Sequence, residues 1–337
     1  MTTNTVMRGA CSISPITSHD EAAVNVTKGA GHPRGLYVLF FTEMWERFSY
    51  YGMRSLLIYY MIKHLQFAQE RSSQIYGLYT GFVYFTPLFG GMLADRIIGQ
   101  RRTVILGAVL MAVGHFLMAF ERLFFTALLF LILGNGAFKP NISTQVGALY
   151  PAGDHRRDRA FSIFYMGINL GAFFSPLVCG TLGEKLGYHW GFAAAGVGMV
   201  IGLLVYLSGQ KYLAPDLIMQ KKRSGQKRST EPMTREDWLK IGAIFAMMAL
   251  TVVFWSVYEQ QGNTMALWAD ANTDRMIFGW EMPASWFQAF NPLMIFIFVP
   301  LINVFWQAQE RRDKEPSSIA KMGIGCILLA AAFLILI

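Results

Sequence analysis

Nine apolar stretches, each about 20 residues long, follow one another along this 337-residue chain, and about 20 helical residues cross a bilayer's hydrocarbon core. They are residues 36–62, 75–94, 102–119, 123–148, 159–182, 190–209, 239–261, 284–307 and 319–337. In hydrocarbon each backbone amide must find its partner within the protein, so a run of this length reads as a helix. The fold class that follows is an all-α membrane protein. Composition agrees: 54% of residues are hydrophobic and only 15% charged, against roughly 25% charged in a soluble domain.

The net charge of +8 would suit a nucleic-acid partner if it formed a patch, but it does not. Numbering the loops alternately puts 21 of the 29 Lys and Arg on the side of the N-terminus. Five lie on the other side (Lys63, Arg71, Arg122, Lys185 and Arg275), and three within helices (Arg47, Arg54 and Lys139). That asymmetry is the positive-inside pattern. It implies a multi-pass protein of the cell inner (plasma) membrane with a cytoplasmic N-terminus, the lipid bilayer as its partner and no nucleic acid.

The organisation expected is fourfold. Residues 1–34 read as a disordered cytoplasmic tail, with no apolar core of signal-peptide length. Residues 35–210 form a six-helix bundle. Residues 211–236, with Lys221-Lys222-Arg223 and Lys227-Arg228, form a basic cytoplasmic linker near anionic headgroups. Residues 237–337 form three helices of a second bundle, ending in the apolar run Leu334-Ile335-Leu336-Ile337. Six helices, a linker and three more read as a two-bundle carrier cut short, since carriers often place their site between two halves.

Charge inside these stretches carries the function. Glu43, Glu46 and Arg47 lie at i, i+3 and i+4, on one helix face. Intramembrane charge is costly, and faces a cavity or a partner. Lys139, in Gly134-Asn135-Gly136-Ala137-Phe138-Lys139-Pro140-Asn141, sits mid-stretch, too deep to snorkel. Glu43 and Glu46 are its candidate counter-ions, either as a functional cluster or as a structural ion pair. Pro140 and the nearby glycines weaken that helix. The loop Gly90-Gly91-Met92-Leu93-Ala94-Asp95-Arg96-Ile97-Ile98-Gly99-Gln100-Arg101-Arg102 lets Asp95 pair with Arg101 or Arg102, as a gating latch or as a plain positive-inside turn. Asn169, flanked by Gly167 and Gly171, can bind a polar ligand or bond between closely packed helices. Glu259, in Phe254-Trp255-Ser256-Val257-Tyr258-Glu259-Gln260-Gln261-Gly262, is either a partner for Arg54 across the outer mouth or an ordinary interfacial acid. Gln288 and Asn291, beside Pro292, suit a cavity wall.

Other chemistries find no support. Cys11, Cys179 and Cys326 have no metal or disulfide spacing, and His64, His115, His155 and His189 are scattered along the chain. No phosphate-binding loop appears and no nucleophile triad, so neither an enzyme, a cofactor nor a metal is expected.

Together the Glu43-to-Gly52 motif, the Gly90-to-Arg102 loop, Lys139-Pro140-Asn141, Phe161-to-Phe173, Phe254-to-Gly262 and Phe287-to-Pro292 resemble the proton-dependent oligopeptide transporter family of the major facilitator superfamily. The resemblance runs from about residue 36 to the last residue. It implies the major facilitator fold, and a proton symporter importing di- and tripeptides by alternating access between two six-helix bundles. The partners implied are peptide and protons, with the proton gradient in place of a cofactor and no obligate protein partner. By motif position, Glu43, Glu46, Arg47 and Lys139 would couple protons. Arg54, Tyr51, Tyr84, Lys139, Asn169, Trp255 and Asn291 would bind peptide. Asp95, Arg101, Arg102, Arg54 and Glu259 would gate. Two departures from the family stand out. The linker is too short for the extra helical pair of many bacterial members. The tenth-helix glutamate that holds the peptide amino group lies beyond residue 337. The alternatives are an inactive membrane remnant, or a carrier of another small solute, such as nitrate or a drug-like compound, on the same fold.

Overall fold

Proline and glycine set where the apolar stretches break. The computed structural model describes residues 31–151, 153–216 and 234–335. Helix α1 (Arg34–Tyr59) starts directly after Pro33 and continues through a wider turn, Tyr60–His64. Helix α2 (Gln69–Phe85) stops at Thr86, because Pro87 offers no N–H; the axis resumes as α3 (Pro87–Leu93) and the turn Ala94–Ile98. Gly99, at φ 86°, then reverses the chain into α4 (Gln100–Leu117), a left-handed backbone that favours glycine. Helix α5 (Phe124–Ala148) follows the short turn Glu121–Leu123 and carries Pro140 inside it. Helix α6 (Arg156–Ser175) runs through Pro176–Gly180 into α7 (Thr181–Lys185), and α8 (Tyr188–Gly209) closes this set.

The second set begins with α9 (Arg235–Tyr258), started by a reciprocal cap between Thr234 and Asp237. Such a pair satisfies two amides that a helix start leaves free. Then come α10 (Thr264–Asn272), the two-residue strands β1 (Met276–Ile277) and β2 (Trp280–Glu281), the turn Ala284–Ala289, α11 (Phe290–Glu310) and α12 (Ser318–Ile335). The strands pair antiparallel, Met276 to Glu281 and Ile277 to Trp280. This small hairpin has no counterpart in the helical reading, since two-residue strands leave no periodic signature.

Packing is the inverse of a soluble protein's. Glu46, Arg47, Asn135 and Gln145 are buried, while Leu78, Phe85, Leu133 and Leu204 face outward. Soluble chains bury such apolar side chains, whereas hydrocarbon accepts them. Helix α1 is the hub: it packs against α6 and α8, and α4 packs along α5. Gly171 of α6 meets the Met44 carbonyl of α1, so closely that no Cβ fits between them. The close approach expected of Gly167 and Gly171 is therefore present. The second set docks through the turn Ala284–Ala289 on the turn Pro176–Gly180 and through α11 on α6. Helices α9 and α12 bury none of their described residues.

Among the described residues, six helical runs are long and apolar enough to cross a membrane by length and composition alone: Glu121–Ala148, Arg156–Lys185, Tyr188–Tyr212, Arg235–Asn272, Ala284–Glu310 and Ser318–Ile335. The first three runs fall short of that measure. Glu43, Glu46, Arg47 and Arg54 dilute α1, Thr86-Pro87 splits the second run, and Arg101 and Arg102 open the third.

Two expected segments lie largely outside the described residues. For the tail, only residues 31–34 are described; there His32 Nδ1 lies 2.8 Å from the Tyr150 hydroxyl. For the linker, residues 217–233 are not described. Leu213, Ala214 and Asp216, which are, dock on the start of α4. Asp216 accepts from the N–H groups of Gln100 and Arg101, each at 3.2 Å.

Candidate functional site

The charges of α1 fall on two levels because four residues make roughly one turn and seven make two. On the first level, Arg47 takes both carboxylates. Its Nε lies 3.2 Å from Glu43 Oε1 and also donates to Glu46 Oε2. Asn135 of α5 donates to the other oxygen of Glu46 at 3.3 Å. Glu43 Oε2 and Arg47 Nη2 are buried without a hydrogen bond among the described residues. Buried polar atoms nearly always have partners, so these two are exceptions among the described residues.

Lys139 was expected to pair with Glu43 or Glu46, and the structure does otherwise. Its ammonium sits 4.6 Å from the centre of the Tyr84 ring, a cation–π contact, because Arg47 already occupies both acids. Lys139 and Glu43 nevertheless line one cavity of about 290 Å³.

That cavity lies between the two helix sets. Tyr51 and Arg54 enter it from α1, Tyr84 from α2, Lys139 from α5, Asn169 from α6, Trp255 from α9 and Asn291 from α11. All seven residues expected to bind a ligand therefore share one space, although Lys139 is 116 residues from Trp255 in sequence. Asn169 donates to the Tyr165 carbonyl at 2.9 Å, and Asn291 accepts from the Tyr258 hydroxyl at 3.0 Å. Tyr84 and Trp255 face each other with ring centres 6.3 Å apart. Sequence reasoning missed Tyr165, Ser143 and Ile295 on the wall. An aromatic, a hydroxyl and an aliphatic residue in apolar helices carry no signal of their own.

On the second level the two helix sets meet. Arg54 pairs with Glu259, so the expected pairing across the mouth is formed. The Tyr84 hydroxyl donates to Glu259 at 3.2 Å, and Arg54 Nε donates to the Tyr76 hydroxyl at 2.7 Å. Beyond this pair lies a belt the sequence did not reveal. Lys63 reaches Asp270, Arg275 reaches Asp270 and Glu281, and Lys185 reaches Glu281. Glu184 accepts the N–H groups of Ala284 and Ser285, each at 2.8 Å. Both helix sets contribute to every link but those of Arg275 to Asp270 and Glu281.

The Asp95 latch is not formed with Arg101 or Arg102. Arg101 instead donates to the carbonyls of Leu213 and Ala214, at 2.6 and 2.7 Å. The Gly99 turn brings Asp216 rather than Asp95 to the start of α4, and Asp95 lies exposed. Among the described residues, one metal-capable group stands apart from the cavity: His64, Glu121 and His189 converge at the end of α1, although no spacing joins them.

A polar cavity buried among membrane-spanning helices, between two helix sets joined by an ion pair at one level, defines a membrane carrier of the major facilitator fold. Comparison with known proteins narrows that class. The family model described as PTR2, POT family, matches residues 101–216 and 216–337, and the chain belongs to the POT family. It is 35% identical to the uncharacterized transporter YclF of Bacillus subtilis, over 91% of this chain and 74% of that one. It is 32% identical to a di-/tripeptide transporter of Lactococcus lactis subsp. cremoris, over 91% and 75%. Among solved structures, a mutant of the peptide transporter POT in complex with alafosfalin superposes with a TM-score of 0.72 at 33% identity. It covers 88% of this chain and 73% of that one.

Proposed function

We propose that the protein is a proton-coupled symporter that imports di- and tripeptides across the inner (plasma) membrane by alternating access, with its N-terminus in the cytoplasm. The observation that carries this reading is the sharing of one cavity by two kinds of charge: Arg54 and Lys139, and the Glu43–Arg47 cluster. The cations suit a peptide carboxylate. Trp255, Tyr51 and Tyr84 suit its side chains, while Asn169 and Asn291 suit its amides. A cavity of about 290 Å³ is at the small end of the range for ligand sites, as a short peptide requires.

Coupling follows from the arrangement around Arg47. Protonating Glu46 removes one of its two anionic partners. At an effective dielectric near 20, opposite charges at the 3.2 Å of the Arg47–Glu43 pair attract by roughly 5 kcal/mol before desolvation. Moving a two-state equilibrium from 1:99 to 99:1 takes about 5.5 kcal/mol. One proton on this cluster changes the balance of charge around Arg47, and a difference in that balance between two states is what a population shift requires. Arg47, once freed, can turn to the peptide or to another wall of the cavity.

The Arg54–Glu259 pair and the belt beyond it form the outer gate in this reading, so the structure is the state closed to the outside. On the cytoplasmic side, Arg101 and Asp216 tie residues 213–216 to the start of α4. The driving force is the proton gradient, without cofactor, catalysis or obligate protein partner. The test is uptake of labelled dialanine by cells expressing the protein, with acid outside. Uptake above background that Lys139→Ala abolishes supports the reading. Equal uptake with and without Lys139 removes it.

A further inference from the structure

We infer that His64, Glu121 and His189 form a zinc site at the end of the first helix set opposite Arg34. One donor atom from each lies within 4.8 Å of the others. His64 Nε2 is 2.8 Å from Glu121 Oε1, and the two imidazole rings are 5.3 Å apart at 87°. The Nδ1 of His189 is buried and makes no hydrogen bond among the described residues. Two imidazoles and one carboxylate are the ligand set of three-ligand zinc sites, which hold the metal at about 2.0–2.2 Å and leave a fourth position for water. At those bond lengths tetrahedral donors lie about 3.4 Å apart, so the present spacing needs only side-chain rotation to close.

Aromatic rings frame the first of these ligands. Tyr60 stacks on His64 at 5.1 Å and Tyr188 meets its ring at 5.9 Å, which fixes the plane of that imidazole. The two lysines nearest in sequence are engaged elsewhere. Lys63 lies over the Tyr59 ring and pairs with Asp270; Lys185 lies over the Trp280 ring and pairs with Glu281. The side chains of His64 and Glu121 are 33% and 58% exposed, so an ion reaches them from solvent. The three ligands come from the end of α1, the turn before α5 and the first turn of α8. Bound zinc would staple these three ends together, next to the lysine that links α1 to Asp270. Neither the site nor its test depends on what the cavity carries.

The experiment uses tag-free protein in lipid nanodiscs, titrated with Zn²⁺ by calorimetry and with Co²⁺ as a visible-spectrum probe of coordination. The expected result is one metal per chain at micromolar affinity or tighter, with ligand-field bands of four-coordinate cobalt. His64→Ala and His189→Ala should each weaken binding at least tenfold, Glu121→Gln should also weaken it, and His155→Ala should not. Glu121→Gln preserves shape, so metal-free thermal unfolding equal to wild type separates lost ligation from lost folding. Absence of binding, or binding that survives loss of both histidines, overturns the site.

Discussion

Replacing Glu259 by Gln isolates the outer gate, because it removes one charge and keeps the shape. Arg54 is 3% exposed and Glu259 12%, so this pair is not a surface ion pair. Breaking a buried pair by deleting one partner costs about 3–5 kcal/mol. Part of that is retained here. Arg54 keeps the Tyr76 hydroxyl at 2.7 Å and lies 5.8 Å from the ring centres of Tyr51 and Tyr76, contacts of about 1 kcal/mol each. Those contacts are the same with Gln at 259, and the glutamine keeps an acceptor facing Arg54, which puts the net loss to the outward-closed state at about 2–3 kcal/mol. That is roughly a 30- to 150-fold change in the closed-to-open ratio, at about 1.4 kcal/mol per factor of ten. A protein that is roughly 1% outward-open would become about 25–60% open. Spin labels at Leu186 and Phe278, both exposed and on opposite helix sets, report this distance by pulsed electron resonance. The background would lack Cys11, Cys179 and Cys326. Glu259→Gln should transfer population from the short to a longer distance. An unchanged distribution would refute the pair as a latch.

Other substitutions test other joints. Gly171→Ala puts a methyl against the Met44 carbonyl and should cost about 1–3 kcal/mol, seen as a lower unfolding temperature in detergent. Asp216→Ala removes the acceptor for two N–H groups at the start of α4 and should cost about 1 kcal/mol, read in the same assay. Arg54→Ala should weaken dialanine binding at least tenfold in equilibrium measurements, since it removes a cation from the cavity wall; unchanged affinity would exclude it from the site.

Much of the fold was legible because hydrocarbon imposes one rule on every segment. Apolar runs of spanning length located the helices. The first three runs still escape a test by hydropathy alone, since α1 spends its polarity on Glu43, Glu46, Arg47 and Arg54. The cavity was legible for a related reason. Charges such as Lys139 inside apolar runs have few places to go, and one shared space satisfies them. What sequence did not show were choices among partners. Arg47 could be known to need an acid, but not that it would hold two and leave Lys139 to Tyr84. Likewise Asp95 and Asp216 are both acids near the Gly99 turn, and only the path of residues 213–216 decides between them. His64 and His189 are 125 residues apart, so their meeting depends on how α1 and α8 pack.

The central claim is that peptide and proton share one cavity and are linked through Glu46 and Arg47. The measurement that tests it most directly compares Glu46→Gln with wild type in two assays on the same membrane vesicles. One follows accumulation of labelled dialanine driven by an imposed proton gradient; the other follows exchange of labelled for unlabelled dialanine without a gradient. The account predicts that the variant loses accumulation and keeps exchange, because the carrier still cycles with peptide bound. A Glu46→Gln protein that still concentrates dialanine against its gradient would contradict it.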